Sequence, residues 1–246
     1  MEKNNTMLKL EIGALLTVIY AVLAVISNQF MFVPGVVGLR LMNILPIGAG
    51  LLFGRVGAFA CALGSLFGDV GSGMLSPLSL GGFLGAYGAA YVPYRIWQGM
   101  RSEREENIIL GATRTNTMFL VLALIAAIPP SIVTPLFADR FAVAAYTTAF
   151  IPLAIQNVLM SMVFGTILYK YMAPRFLVGV NHELWLLVKD NKTSTKPLSV
   201  ALLRLSMTAL FIAIGFTAIL EPTMGQEIIM YTMGILSVVI LVLANW

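Results

Sequence analysis

Long apolar runs, several of roughly 18 or more residues, recur along the chain with short polar turns between them. That pattern predicts membrane-spanning helices over about 12–33, 41–54, 56–70, 79–97, 117–137, 147–170, 200–220 and 226–246. The second and third run into each other through Gly54-Arg55-Val56-Gly57. The expected fold class is therefore an all-α polytopic membrane protein of about eight transmembrane helices. The first run is too long for a signal peptide and leads into Phe30-Met31-Phe32-Val33-Pro34 in place of a small-residue cleavage site, so it is expected to stay as an anchor.

Charge fixes an expected orientation. With the N-terminus in the cytoplasm, Lys3, Lys9, Arg55, Arg95, Arg101, Arg104, Arg114, Lys170, Arg175, Lys189, Lys192, Lys196 and Arg204 all fall inside, and Arg40 and Arg140 fall outside. The positive-inside rule predicts that bias, and both termini are then cytoplasmic. The basic pI of about 9.3 follows membrane orientation, which argues against a nucleic-acid partner. Composition agrees, with 59% hydrophobic and 11% charged residues.

Three regions are expected: a transmembrane core over 1–175, a cytoplasmic or interfacial connector over 176–199, and a C-terminal transmembrane hairpin over 200–246. Within the connector, Glu183-Leu184-Trp185-Leu186-Leu187-Val188-Lys189 is too short to span and suits the inner membrane surface. Gly50 and Gly54, Gly64 and Gly68, and Gly81 and Gly85 are each four apart, a spacing that lets helix backbones approach closely in lipid. On the first span Gly13, Thr17 and Ala21 make another small face, with no obvious cover inside the chain, and it is the candidate partner-docking surface.

The sequence offers little for catalysis, and no catalytic residue, metal site or cofactor is expected. His182 is the only histidine, which excludes an HExxH motif and any His cluster. Gly68-Asp69 lacks the second intramembrane aspartate that shared-proton proteolysis needs, and no GxxxxGK[ST] loop is present to bind a nucleotide. Cys61 stands alone within an apolar span and reads as packing.

Polar residues gather instead toward the expected outer face: Asn28 and Gln29, Arg40 and Asn43, Asp69, and Tyr146, Thr147, Gln156 and Asn157. Polar groups at membrane depth face a partner or a cavity, so Asn28, Arg40, Asn43, Asp69, Gln156 and Asn157 are the candidate solute-binding set. Each has a structural alternative: Arg40 snorkelling or pairing with Asp69, Asp69 capping its helix, and the two amides bonding between helices. Outer loops containing Phe32-Val33-Pro34-Gly35 and Gly71-Ser72-Gly73-Met74-Leu75-Ser76-Pro77 suit closure over a small molecule, or plain tight turns.

The stretch from Leu39-Arg40 through Pro46, Phe53-Gly54 and Gly57 to Gly68-Asp69 resembles the second and third helices of the substrate-binding S components of energy-coupling factor transporters. Gln156-Asn157-Val158-Leu159 is similar to the polar start of their sixth helix, and the resemblance covers about residues 8–175. It implies a six-helix core that binds a vitamin or nucleobase-like solute near the outer face. It also implies a coupling membrane subunit and cytoplasmic ATPases as partners, with Gly13, Thr17 and Ala21 as the docking face, where the family favours alanines. The hairpin 200–246 departs from the family. The sequence thus predicts an uptake subunit of a prokaryotic plasma membrane, in contact with lipid and energised by partners. The alternatives are a non-transporting structural subunit of a larger membrane complex and, more weakly, an autonomous secondary transporter, against which stand the missing inverted repeat and the scarcity of intramembrane carboxylates.

Overall fold

The computed structural model describes residues 2–33, 37–100 and 113–177. The charged segment 101–112, most of the connector and the whole hairpin 200–246 lie outside the described residues. The described chain is mostly helical: α1 (Glu2–Asn28), a 3-10 turn (Leu41–Ile44), α2 (Leu45–Gly71), α3 (Leu78–Met100), α4 (Thr113–Arg140), α5 (Tyr146–Leu159), a π-helical turn (Met160–Phe164) and α6 (Gly165–Leu177). Between α1 and the 3-10 turn, a short antiparallel ladder pairs Met31 with Gly38. Among the described residues four stretches are long and apolar enough to cross a membrane, Thr6–Asn28, Leu41–Gly71, Thr115–Arg140 and Thr148–Arg175. The chain is therefore a multi-pass membrane protein.

The predicted boundary between the second and third spans is a reversal inside α2. Gly54 has φ +57° and ψ −127°, a conformation closed to side-chain-bearing residues. Beyond it the chain returns on itself, so that a methyl group at Gly57 would collide with the carbonyl of Ala49. Eight residues apart on one straight helix, these positions would stand about 12 Å from each other at 1.5 Å per residue. The expected small-residue row Gly50/Gly54 meets α3: Gly50 lies against the backbone of Ala90, and Gly54, which also makes the turn, lies against the ring of Tyr94.

Close glycine contacts fix the direction of the other helices. Methyl groups at Gly64 and Gly68 would lie 2.6 Å from Tyr20 Cβ and against Ala24 Cβ, so the leg 55–71 runs alongside α1 in the same direction. Methyls at Gly85 and Gly88 would come within 2.9 Å of Pro130 Cα and 2.7 Å of Pro129 Cβ, which sets α3 antiparallel to α4. Pro129 and Pro130 sit inside α4 although each removes a helix hydrogen bond, and their rings pack where α3 has no side chain. Phe119 of α4 packs against Tyr169 of α6 with tilted rings 4.7 Å apart, returning the chain once more. Lys9, Arg55, Arg95, Lys170 and Arg175 consequently share one end of the bundle, and Arg40 and Arg140 share the other.

Tyr20, Phe53, Cys61, Tyr91, Phe119 and Tyr169 fill the centre, each almost wholly buried. Gly68→Leu is expected to push α1 off α2, because Ala24 Cβ and the Ala21 carbonyl occupy the space. The cost should be about 3 kcal/mol, read as a lower unfolding midpoint in detergent. Gly48→Ala, where a methyl would meet only Tyr169 at 3.8 Å, should leave that midpoint unchanged or raise it.

Candidate functional site

Three chain segments meet at the Arg40 end. α1 closes with Asn28, the segment entering the 3-10 turn carries Arg40, and the last turn of α2 carries Asp69. The Asn28 side chain, 4% exposed, donates from Nδ2 to Asp69 Oδ1 at 3.3 Å and to Ser72 Oγ at 2.8 Å. Ser72 Oγ in turn donates to the Gly68 carbonyl at 2.6 Å, which ties the end of α2 to α1. Arg40 is 6% exposed and shares with Asn28, Asp69, Ser65, Ser76 and Thr134 the lining of one cavity. Its volume is about 20 Å3, room for a single water and far from the several hundred Å3 of a small-molecule pocket. Methionines 31, 42 and 74 form much of the apolar wall.

Asn43 and Asn157 do not line this cavity but bond to each other. Asn43 Nδ2 donates to Asn157 Oδ1 at 2.5 Å, Asn157 Nδ2 donates to Ser131 Oγ at 2.9 Å, and Ser131 Oγ donates to the Ala127 carbonyl at 2.6 Å. This buried chain links the 3-10 turn, α5 and α4. Of the candidate residues, Asn28, Arg40 and Asp69 line the cavity, and Asn43 and Asn157 form a buried polar lock. Gln156, next in sequence to Asn157, points elsewhere, and its Nε2 is buried with no hydrogen-bond partner among the described residues. The same holds for Ser161 Oγ in the π turn and for Thr134 Oγ1 at the cavity.

Sequence reasoning missed Ser65, Ser131 and Thr134. Their only sequence signal is a hydroxyl on the interior face of a span, and Ser131 and Thr134 lie one turn apart directly after Pro129-Pro130.

Gly13, Thr17 and Ala21 line an open apolar groove of about 900 Å3 between α1 and the 55–71 leg. Thr17 is itself covered, 8% exposed, with Oγ1 donating to the Gly13 carbonyl at 2.8 Å. These residues make the floor, and the exposed Val18, Val22, Phe59, Leu63 and Phe67 make the walls. At the opposite end from the cavity, Arg95 lies 5.9 Å over the Tyr91 ring and donates from Nη1 to Gln98 Oε1 at 3.4 Å, while Gln98 donates to Tyr94 Oη. That cluster braces the Gly54 turn. Among the described residues no group of three His, Cys, Asp or Glu side chains gathers in a way that could hold a metal ion.

No family model, curated protein or solved structure matches the chain.

Proposed function

We propose that the protein is a membrane-embedded substrate-binding subunit for uptake of a small organic solute, energised by partner subunits, in the manner of the S components it resembles. The observation that carries this reading is the meeting of Asn28, Arg40 and Asp69 around a buried polar cavity at one end of an apolar bundle. Groups this polar are costly at membrane depth and belong to ligand or ion pathways by default. In this reading the Arg40 end faces outward and the end bearing Arg55, Arg95, Lys170 and Arg175 faces the cytoplasm of a prokaryotic cell. The groove over Gly13, Thr17 and Ala21 receives a coupling membrane subunit, which works with cytoplasmic ATPases. A six-helix core and the C-terminal hairpin together supply eight spans.

The test is mild-detergent purification from the native membrane with mass spectrometry of all that accompanies the protein. A coupling subunit with ATPases, or a stoichiometric small molecule, is the expected result. Arg40→Ala and Asp69→Ala are each expected to weaken solute binding at least tenfold, about 1.4 kcal/mol, and unchanged affinity in both would remove the cavity from the site.

One observation favours a second reading, a structural subunit of a larger membrane complex. The cavity as it stands is water-sized, as in a bundle whose interior is simply packed. A stable set of other membrane proteins in the same purification would select it.

A further inference from the structure

Resting on the solute-binding reading, we infer that the cavity at the Arg40 end selects solutes of zero net charge, which offer an acceptor to Arg40 and a donor to Asp69. Of the described residues lining it, Arg40 and Asp69 alone carry charge, one of each sign. A neutral solute leaves the enclosed site balanced, whereas an anion or a cation adds an uncompensated charge to a buried, low-dielectric space. The remaining polar lining, Asn28, Ser65, Ser76 and Thr134, donates and accepts hydrogen bonds without adding charge.

Thr134 supplies an independent pointer to a ligand. It is 2% exposed, it is one of the residues lining the cavity, and its Oγ1 has no hydrogen-bond partner among the described residues. A buried hydroxyl left unsatisfied is costly, and a solute bearing both donors and acceptors satisfies it. Because the closed cavity holds about 20 Å3, a solute must displace wall side chains, and methionines repack more readily than branched residues.

The test is native mass spectrometry of the full-length protein in detergent, exposed to a defined millimolar mixture. The neutral probes are riboflavin, guanine and nicotinamide, the anions are nicotinate and pantothenate, and the cations are thiamine and choline. Retention of neutral probes alone is the expected result. Thr134→Val should then weaken the retained probe about tenfold while leaving the ligand-free thermal midpoint unchanged or higher, and Asp69→Asn should shift retention toward the anions. A charged probe held by the unaltered protein would overturn the neutrality rule and leave the solute-binding reading standing. No retained probe of any class would overturn both, whereas Thr134→Val and Asp69→Asn proteins that fold and bind a probe like the parent would overturn the cavity's role and leave the solute-binding reading standing.

Discussion

Replacing Gly57 with leucine is expected to leave no folded protein. The space that a side chain needs at this position is filled by the backbone of Ala49 on the descending leg, and a backbone cannot rotate aside as a side chain does. Overpacking against adaptable side chains costs about 1–3 kcal/mol, and an obstacle made of main chain should exceed that, beyond about 4 kcal/mol. Such a loss approaches the whole stability of a marginally stable domain. The measurement is fluorescence-detected size exclusion of tagged protein in detergent extracts, where the monodisperse peak should vanish. Gly73→Ala is the matched control, since Gly73 has φ +68° with nothing within 4 Å of an added methyl. It pays only for the left-handed backbone, about 1–2 kcal/mol, and should still give a folded peak. Gly57→Leu eluting like the parent would mean that residues 45–71 form one straight helix.

Asn157→Ala is expected to cost about 2–3 kcal/mol through the polar lock. Truncation removes the acceptor of Asn43 Nδ2 and the donor to Ser131 Oγ, and with Asn157 1% exposed no bulk water enters to replace it. Each buried group left without a partner costs about 1–3 kcal/mol, less for Ser131, whose hydroxyl keeps its bond to Ala127. A double-mutant cycle with Asn43→Ala should show that much of the two single losses is shared, because both remove the same bond. Strict additivity would show that Asn43 and Asn157 do not touch. Asn157 lies just before the π turn that joins α5 to α6, so the lock also ties the start of that turn to α4.

The reversal at Gly54 was legible because two glycines flank an arginine in an otherwise unbroken apolar run, and only a turn at a membrane surface accommodates that. The gathering of Asn28, Arg40 and Asp69 was legible for a related reason: each closes or opens a span at the same end. Other features depended on contacts that spacing does not encode. Asn157 pairs with Asn43 across 114 residues, and nothing local distinguishes that partner from the cavity. Gln156 and Asn157 look alike in sequence, but neighbours on a helix point about 100° apart, so only one reaches the lock. The span over 117–137 was legible from its apolar run alone, and packing of Pro129 and Pro130 against Gly88 and Gly85 accommodates the consecutive prolines within it.

The doubled-back α2 also constrains how the chain enters the bilayer during synthesis. From Leu41 to Phe53 the descending leg rises only about 20 Å, short of the roughly 30 Å hydrocarbon core. A piece that short partitions poorly by itself as it leaves the ribosome, and it carries Arg40 at its leading edge. The returning leg must therefore be made before the descending one is secure, so the two insert as a pair. In a nascent chain halted before residue 71 emerges, residues 41–53 should remain open to protease although α1 is already anchored, and in one halted a few residues later they should be protected.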